Sequence, residues 1–247
     1  MRGEVEMIER IKSGIPGLDG ILHGGFVKGT NILVSGGAGT GKTICCMQFL
    51  YAGAAKYDQP GIFVTLEEKP REIRREAKQF GWDFEKLEQE GKLIIIDAAS
   101  SKAGLPTTEP YTLRRGFDIS TLAQEIYKAT KQIDAQRIAI DSLSGLGIRF
   151  ESQTAIRNAI FKLASLLGEL QTTSLMTSEI TGKTGYSRYG VEEFIAQGII
   201  VLYLNEENGE LRRSLVVRKL RFSSHSLKVY PIEIGSRGIV IMPGGEL

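Results

Sequence analysis

The sequence predicts an α/β fold, a mainly parallel central sheet flanked by helices, with an antiparallel extension toward the C-terminus. Three observations carry this. Apolar runs of strand length alternate with amphipathic helical stretches from about residue 30 to about residue 180, the rhythm of β-α-β units in a parallel sheet. After about Gly198, four strand-like runs follow one another with no helical pattern between them. No stretch rich in Pro, Gly or Ser divides the 247 residues and no internal repeat is visible, so one domain over residues 1–247 is expected.

In order, "TNILVSG" (30–36) reads as a buried strand and leads into a helical stretch from Lys42 to about Lys56. "GIFVTLE" is the next strand. The helix "PREIRREAKQFGW" follows, with Pro70 in its first turn, where a missing N–H costs nothing. "KLIIIDA" is a strand, residues 99–117 a long polar loop with two prolines, and "DISTLAQEIYKATKQ" a helix. The strand "RIAIDSL", the helix "TAIRNAIFKLASLLGEL" and the strand "TTSLMTSE" complete the alternating part. "GIIVLYL", "LRRSLVVRKLR", "LKVYPIEI" and "GIVIMP" are the helix-free strands, the first two joined by the turn-like "NEENGE".

Composition narrows the function classes. Hydrophobic residues make up 42% and charged residues 24%, values of an ordinary globular chain. The 31 basic and 29 acidic residues leave a formal charge of +2, which gives no broad field for DNA or an anionic membrane. No apolar run is long enough to cross a bilayer, and the N-terminal stretch lacks a signal-peptide core. Cys45 and Cys46 are adjacent and poorly placed to bridge one another, so they read as small buried thiols in a cytoplasmic protein.

The chemistry concentrates in "SGGAGTGKT" at residues 35–43. Gly36, Gly37, Ala38, Gly39, Thr40, Gly41, Lys42 and Thr43 match the phosphate-binding pattern G-x-x-x-x-G-K-[ST], placed between a strand and a helix as it must be. The glycines permit a tight curl that aims backbone N–H groups at phosphates, backed by the positive end of the helix. Lys42 reaches the outer phosphates and the Thr43 hydroxyl suits Mg²⁺. A second "TGKT", at residues 181–184, fails the pattern: the position five before Gly182 is Thr177, inside a strand.

Such a loop needs a carboxylate for its metal at the end of a buried strand. Asp141, closing "RIAID", is favoured, and Asp97, closing "LIIID", reads as a strand-end or capping residue. Glu67 and Glu68 end another hydrophobic strand. They are either a pair that orients and deprotonates water or acids favouring the start of the next helix.

With these residues in place, the sequence resembles the KaiC-like ATPases of the RecA superfamily along nearly its whole length. "SGIPGLDGILHGGFVKGTNILVSGGAGTGKT", "GIFVTLEE", "SRYGVEEFIAQGIIVLY" and "VVRKLRFSSHSLKVYPIEI" carry the likeness. The resemblance implies a RecA-like P-loop NTPase fold and ATP hydrolysis with Mg²⁺, catalysed through the glutamate pair. It also implies a ring of six subunits with ATP at each interface. By that likeness Lys219 and Arg221 are fingers reaching a neighbour's γ-phosphate, and Arg213 and His225 are further contacts at the interface. Such a trans cation stabilises transition-state charge and makes turnover depend on assembly. The clock protein KaiC joins two such domains and this chain has one. Its phosphoacceptor positions fall near Glu193 and Phe194, neither an acceptor, so no circadian role or autophosphorylation is implied. Residues 99–117 also exceed the family's usual connection.

The leading reading is a slow, Mg²⁺-dependent ATPase ring acting on an unidentified protein partner. A DNA-dependent motor is the first alternative, with Lys183, Arg188 and Arg149 on phosphates and Tyr186 or Tyr189 stacking on bases. An ATP-stabilised scaffold is the second. The motifs expected of a protein kinase are absent.

Overall fold

The computed structural model describes residues 8–242, apart from 115, 149, 151 and 182–184. A short strand pair, β1 (Arg10–Ile11) and β2 (Phe26–Val27), brackets the helical turn α1 (Leu18–Ile21). Then β3 (Asn31–Gly36) leads into α2 (Lys42–Lys56), and β4 (Gly61–Thr65) into α3 (Pro70–Gln79) and α4 (Phe84–Gln89). β5 (Leu93–Asp97) is followed by α5 (Ala98–Ala103) and, after an irregular stretch, α6 (Ile119–Ile133). β6 (Arg137–Asp141) runs into a 3-10 turn (Leu143–Ile148), α7 (Gln153–Glu169) and β7 (Thr173–Glu179). The chain closes with α8 (Glu192–Ile195), β8 (Gly198–Glu207), β9 (Glu210–Leu220), β10 (Val229–Gly235) and β11 (Gly238–Ile241).

The main sheet has the order β11-β10-β9-β8-β3-β7-β6-β4-β5. From β8 to β5 every pairing is parallel, and β9, β10 and β11 add antiparallel strands at the other edge. Strands buried on both faces read as continuous apolar runs, because helices cover each side. Alternation still sorts the side chains. Phe63, Ile95 and Ala139 join Phe49 and Leu50 of α2 in one core. Their strand neighbours Ile62, Val64, Ile94, Ile96, Ile138 and Ile140 join Leu122 and Ile126 of α6 and Ile160 and Leu163 of α7 in the other.

Two details differ from the sequence expectation. β8 is parallel to β3, so the antiparallel extension begins one strand later, at β9. Among the described residues the link from β7 to β8 contains the four-residue α8 as its one helix, too short to leave a helical periodicity in the sequence. Residues 99–117 are not irregular throughout. Asp97 caps α5 by accepting the Ser100 N–H at 2.9 Å, and Thr112 returns to Asp97 as an isolated parallel bridge.

Fully buried Arg137 ties the edges of this framework together. Its guanidinium donates to the carbonyls of Phe49 (2.8 Å) and Lys12 (2.8 Å) and to Gln59 Oε1 (Nε, 2.9 Å). It also lies 4.5 Å from the Phe49 ring centroid. Burial pushes its pKa down to about 10.

Candidate nucleotide site

β3 ends at Gly36, and the chain must reverse within five residues to begin α2 at Lys42. Gly39 (φ 73°) and Gly41 (φ 100°) adopt left-handed backbone that an L side chain rarely takes. A side chain at Gly36 would be excluded by the Leu202 carbonyl and the Thr40 hydroxyl, each 2.6 Å from a Cβ placed there. Thr40 Oγ1 donates back to the Gly37 carbonyl at 2.9 Å and braces the curl. Gly37 is half-buried, and Ala38 and Gly39 are exposed at the tip.

The 15-residue α2 begins with no side-chain cap and no acidic residue in its first turn. Its N-terminal amides and positive dipole end are therefore left for an anion. Lys42 folds over the loop and donates to the carbonyls of Gly36 (3.0 Å) and Gly37 (2.8 Å). Burial lowers its pKa, while Asp141, Glu179 and Glu67 pull the other way. Thr43 Oγ1 donates to Asp141 Oδ2 at 2.7 Å. The other Asp141 oxygen accepts from the Thr177 hydroxyl of β7, the strand beside β6. A hydroxyl and a carboxylate held together are hard oxygen donors of the kind Mg²⁺ takes, so these residues fit that ion.

The adjacent glutamates diverge. Glu67 Oε2 accepts from Ser142 Oγ at 2.7 Å, just beyond Asp141. Glu68 instead lines an open cleft of about 440 Å³ with Gly39, Gly41, Lys42, Thr43, Glu76 and Arg213. Burial, then the negative charges of Glu76, Asp141, Glu72 and Glu67, raise the Glu68 pKa. Burial and Asp141 raise that of Glu76.

The C-terminal basic residues are placed in two groups. Arg213 Nε donates to the Gly39 carbonyl at 3.0 Å, so it touches the phosphate loop of its own chain. Lys219 Nζ donates to the carbonyls of Glu193 (2.9 Å) and Ala196 (2.7 Å). Arg221 is exposed, and His225 is half-buried with both ring nitrogens lacking a hydrogen-bond partner among the described residues. No hydrogen bond joins Lys219, Arg221 or His225 to the phosphate loop among the described residues.

Lys183 and Arg149, considered as DNA contacts, lie outside the described residues, as does most of the second "TGKT". Thr177 is within β7. The rest of that loop is engaged within the chain. Arg188 pairs with Glu179 at 2.6 Å, Tyr186 lies under Arg218 at 4.9 Å, and Tyr189 Oη donates to the Ser144 carbonyl at 2.7 Å.

Sequence reasoning passed over Thr177, Ser142 and Glu76. Thr177 had a signal, a hydroxyl inside the buried strand TSLMTSE, where such a group needs a partner. Glu76 lies four residues after Glu72 and so continues an acidic face of α3.

A glycine loop between β3 and α2, with an acidic strand end two places away across the inserted β7, defines a RecA-type P-loop NTPase. Within that class the chain belongs to the KaiC-like ATPases: the family model described as "ATPase: KaiC" matches residues 11–246. A UPF0273 protein of Methanocaldococcus jannaschii is 44% identical over 238 residues, covering 96% of this chain and 97% of that one. The circadian clock oscillator protein KaiC of Synechococcus elongatus is 39% identical over 245 residues, and the chain spans 46% of its length. The crystal structure of a KaiC-like protein from Pyrococcus horikoshii superposes with a TM-score of 0.84 at 46% identity, covering 96% of this chain and all of that one. Among the described residues, no helix is long and apolar enough to cross a membrane.

Proposed function

We propose that the protein is a slow ATPase that hydrolyses ATP to ADP and phosphate. The observation that carries this is the convergence of Lys42, Thr43 and Asp141 at the uncapped start of α2. The phosphates lie against the amides of residues 36–43, and Lys42 exchanges its loop carbonyls for the outer phosphate oxygens. Thr43 and Asp141 hold Mg²⁺, which when bound neutralises phosphate charge. Glu67 and Glu68 orient the attacking water and take its proton, and Arg213 contacts the nucleotide in cis. The fold acts as one domain.

In the same proposal the subunits form a hexameric ring in the cytoplasm, with ATP at each interface. Lys219, Arg221 and His225 then serve the neighbouring site. That no hydrogen bond joins them to the chain's own phosphate loop among the described residues, and that Arg221 is exposed, support this. The ring regulates or remodels a protein partner, because ATP bridging two subunits links nucleotide state to assembly.

Steady-state ADP production with Mg²⁺, with and without single-stranded DNA, tests the reading. A slow rate indifferent to DNA is expected, and strong stimulation would move the protein to the motor class. Lys42→Ala should abolish nucleotide binding; unchanged affinity would sink the site. Mixing Arg221→Ala with Glu67→Gln/Glu68→Gln subunits should restore activity, and demonstrated mixed rings without rescue would exclude trans catalysis. Retained partner binding in the double glutamate variant would indicate a scaffold.

A further inference from the structure

We propose that Lys102 is a positioning residue for Glu67, so that the connection after β5 forms part of the hydrolytic site. This rests on the hydrolytic role proposed above for Glu67.

Lys102 is carried by α5 and is only 8% exposed, an unusual position for a lysine. Its ammonium donates to the Gly145 carbonyl at 3.2 Å. Burial lowers its pKa, and the negative charge of Glu67 opposes that shift. The two side chains meet over Gly145. A Cβ placed there would lie 2.9 Å from Lys102 Nζ, 3.1 Å from Glu67 Cγ and 3.2 Å from the Leu66 carbonyl. A side chain at Gly145 would therefore intrude on the lysine and on the glutamate together.

Glu67 thus has a hydrogen-bond donor on one side and a cation nearby on another. Ser142 donates to its Oε2, and Lys102 supplies a cation from a different part of the chain. Ser142 and Gly145 belong to one turn, closed by the Gly145 N–H on the Ser142 carbonyl at 3.0 Å. A hydroxyl donor and a nearby cation restrict the rotamers of the carboxylate.

The connection is anchored well enough to deliver the lysine. Ser100 and Thr112 both bond to Asp97 at the end of β5. Farther along, Glu109 receives two hydrogen bonds from Arg74, each 2.8 Å. Arg74 lies on α3, which begins two residues after Glu68. The segment bearing the glutamates is therefore fastened to this connection at two points.

The test uses the full chain, steady-state hydrolysis and titration with a fluorescent ATP analogue. Lys102→Met should lower kcat about 10- to 100-fold while analogue affinity stays within about twofold of the native value. Lys102→Arg should recover most of the rate. In a Glu67→Gln background, Lys102→Met should cause no additional loss, because residues acting as a unit are not additive. Gly145→Ala keeps both charges while its Cβ presses on the Lys102 ammonium and on Glu67 Cγ together, and it should lower kcat in the same way. It carries the test should Lys102→Met fail to fold.

A native kcat in Lys102→Met or Gly145→Ala, or an equal loss with and without Glu67, overturns the inference. Absence of hydrolysis by the unaltered protein removes the functional reading, and this inference with it. Hydrolysis insensitive to Lys102 removes the inference alone.

Discussion

Gly53 lies inside α2, where glycine ordinarily costs a helix about 1 kcal/mol relative to alanine. Helix propensity alone therefore predicts that Gly53→Ala stabilises the protein. Packing predicts the reverse. A Cβ at Gly53 would sit 2.4 Å from Arg137 Cδ, 2.5 Å from its Nε and 3.0 Å from its Cζ. Carbon contacts settle at about 3.5–4.0 Å, so the guanidinium must retreat by roughly 1 Å. It has nowhere to go, being fully buried with its hydrogen bonds to Phe49, Lys12 and Gln59 already at 2.8–2.9 Å. Losing two such charged hydrogen bonds costs about 3–6 kcal/mol, so after the propensity gain Gly53→Ala should destabilise by about 2–5 kcal/mol.

Gly168, near the end of α7, is the control. Nothing lies within 4 Å of a Cβ built there, so Gly168→Ala keeps only the propensity gain, about 0.5–1 kcal/mol. Denaturant unfolding of both variants measures the contrast. A Gly53→Ala protein as stable as the native one would show that the Arg137 clamp does not constrain α2.

Other expectations follow from particular contacts. Arg74 bridges Glu88 and Glu109 at 2.7–2.8 Å with 19% side-chain exposure. Between the surface and buried limits for ion pairs, Arg74→Ala should cost about 2 kcal/mol in denaturant unfolding, less in 1 M salt. Glu76 has a raised folded-state pKa, so as pH climbs the unfolded chain loses this proton first and stability falls through that window. Glu76→Gln should therefore raise the melting temperature at pH 7 and leave it nearly unchanged at pH 4, where the acid is mostly protonated in both states. Equal effects at both pH values would refute the assignment. Cys45 and Cys46 are fully buried, and burial pushes the Cys45 thiol up to about 12. A thiol reagent should titrate neither until the protein unfolds, and prompt labelling of the native state would contradict that burial.

The fold class was legible because doubly covered strands announce themselves as unbroken apolar runs, as "NILVSG", "GIFVT" and "RIAID" do. The parallel pairing of β8 was not, because its sense depends on a crossover that leaves no helical period of its own. In the site, spacing suffices for the loop from Gly36 to Thr43, whose chemistry is local to nine residues. Glu67 and Glu68 could not be separated in one dimension. Their difference comes from Ser142 and Lys102 on one side and Glu76 on the other, residues contributed by three separate stretches of the chain. Arg213 was equally opaque, because its reach to Gly39 depends on β9 lying beside β8.

The connection between β5 and α6 has one more physical consequence. β5 is the outermost parallel strand, yet all five residues from Leu93 to Asp97 are buried. Part of its outer rim is engaged by returning chain, where the Asp97 N–H donates to the Tyr111 carbonyl and Thr112 forms the bridge. An uncovered run of Leu93, Ile94, Ile95 and Ile96 would offer another polypeptide an apolar strand to pair with, a common origin of aggregation. The long polar stretch that would ordinarily be the first candidate for trimming is therefore also a solubility device. Shortening it would remove the chain that engages the Asp97 end of this edge.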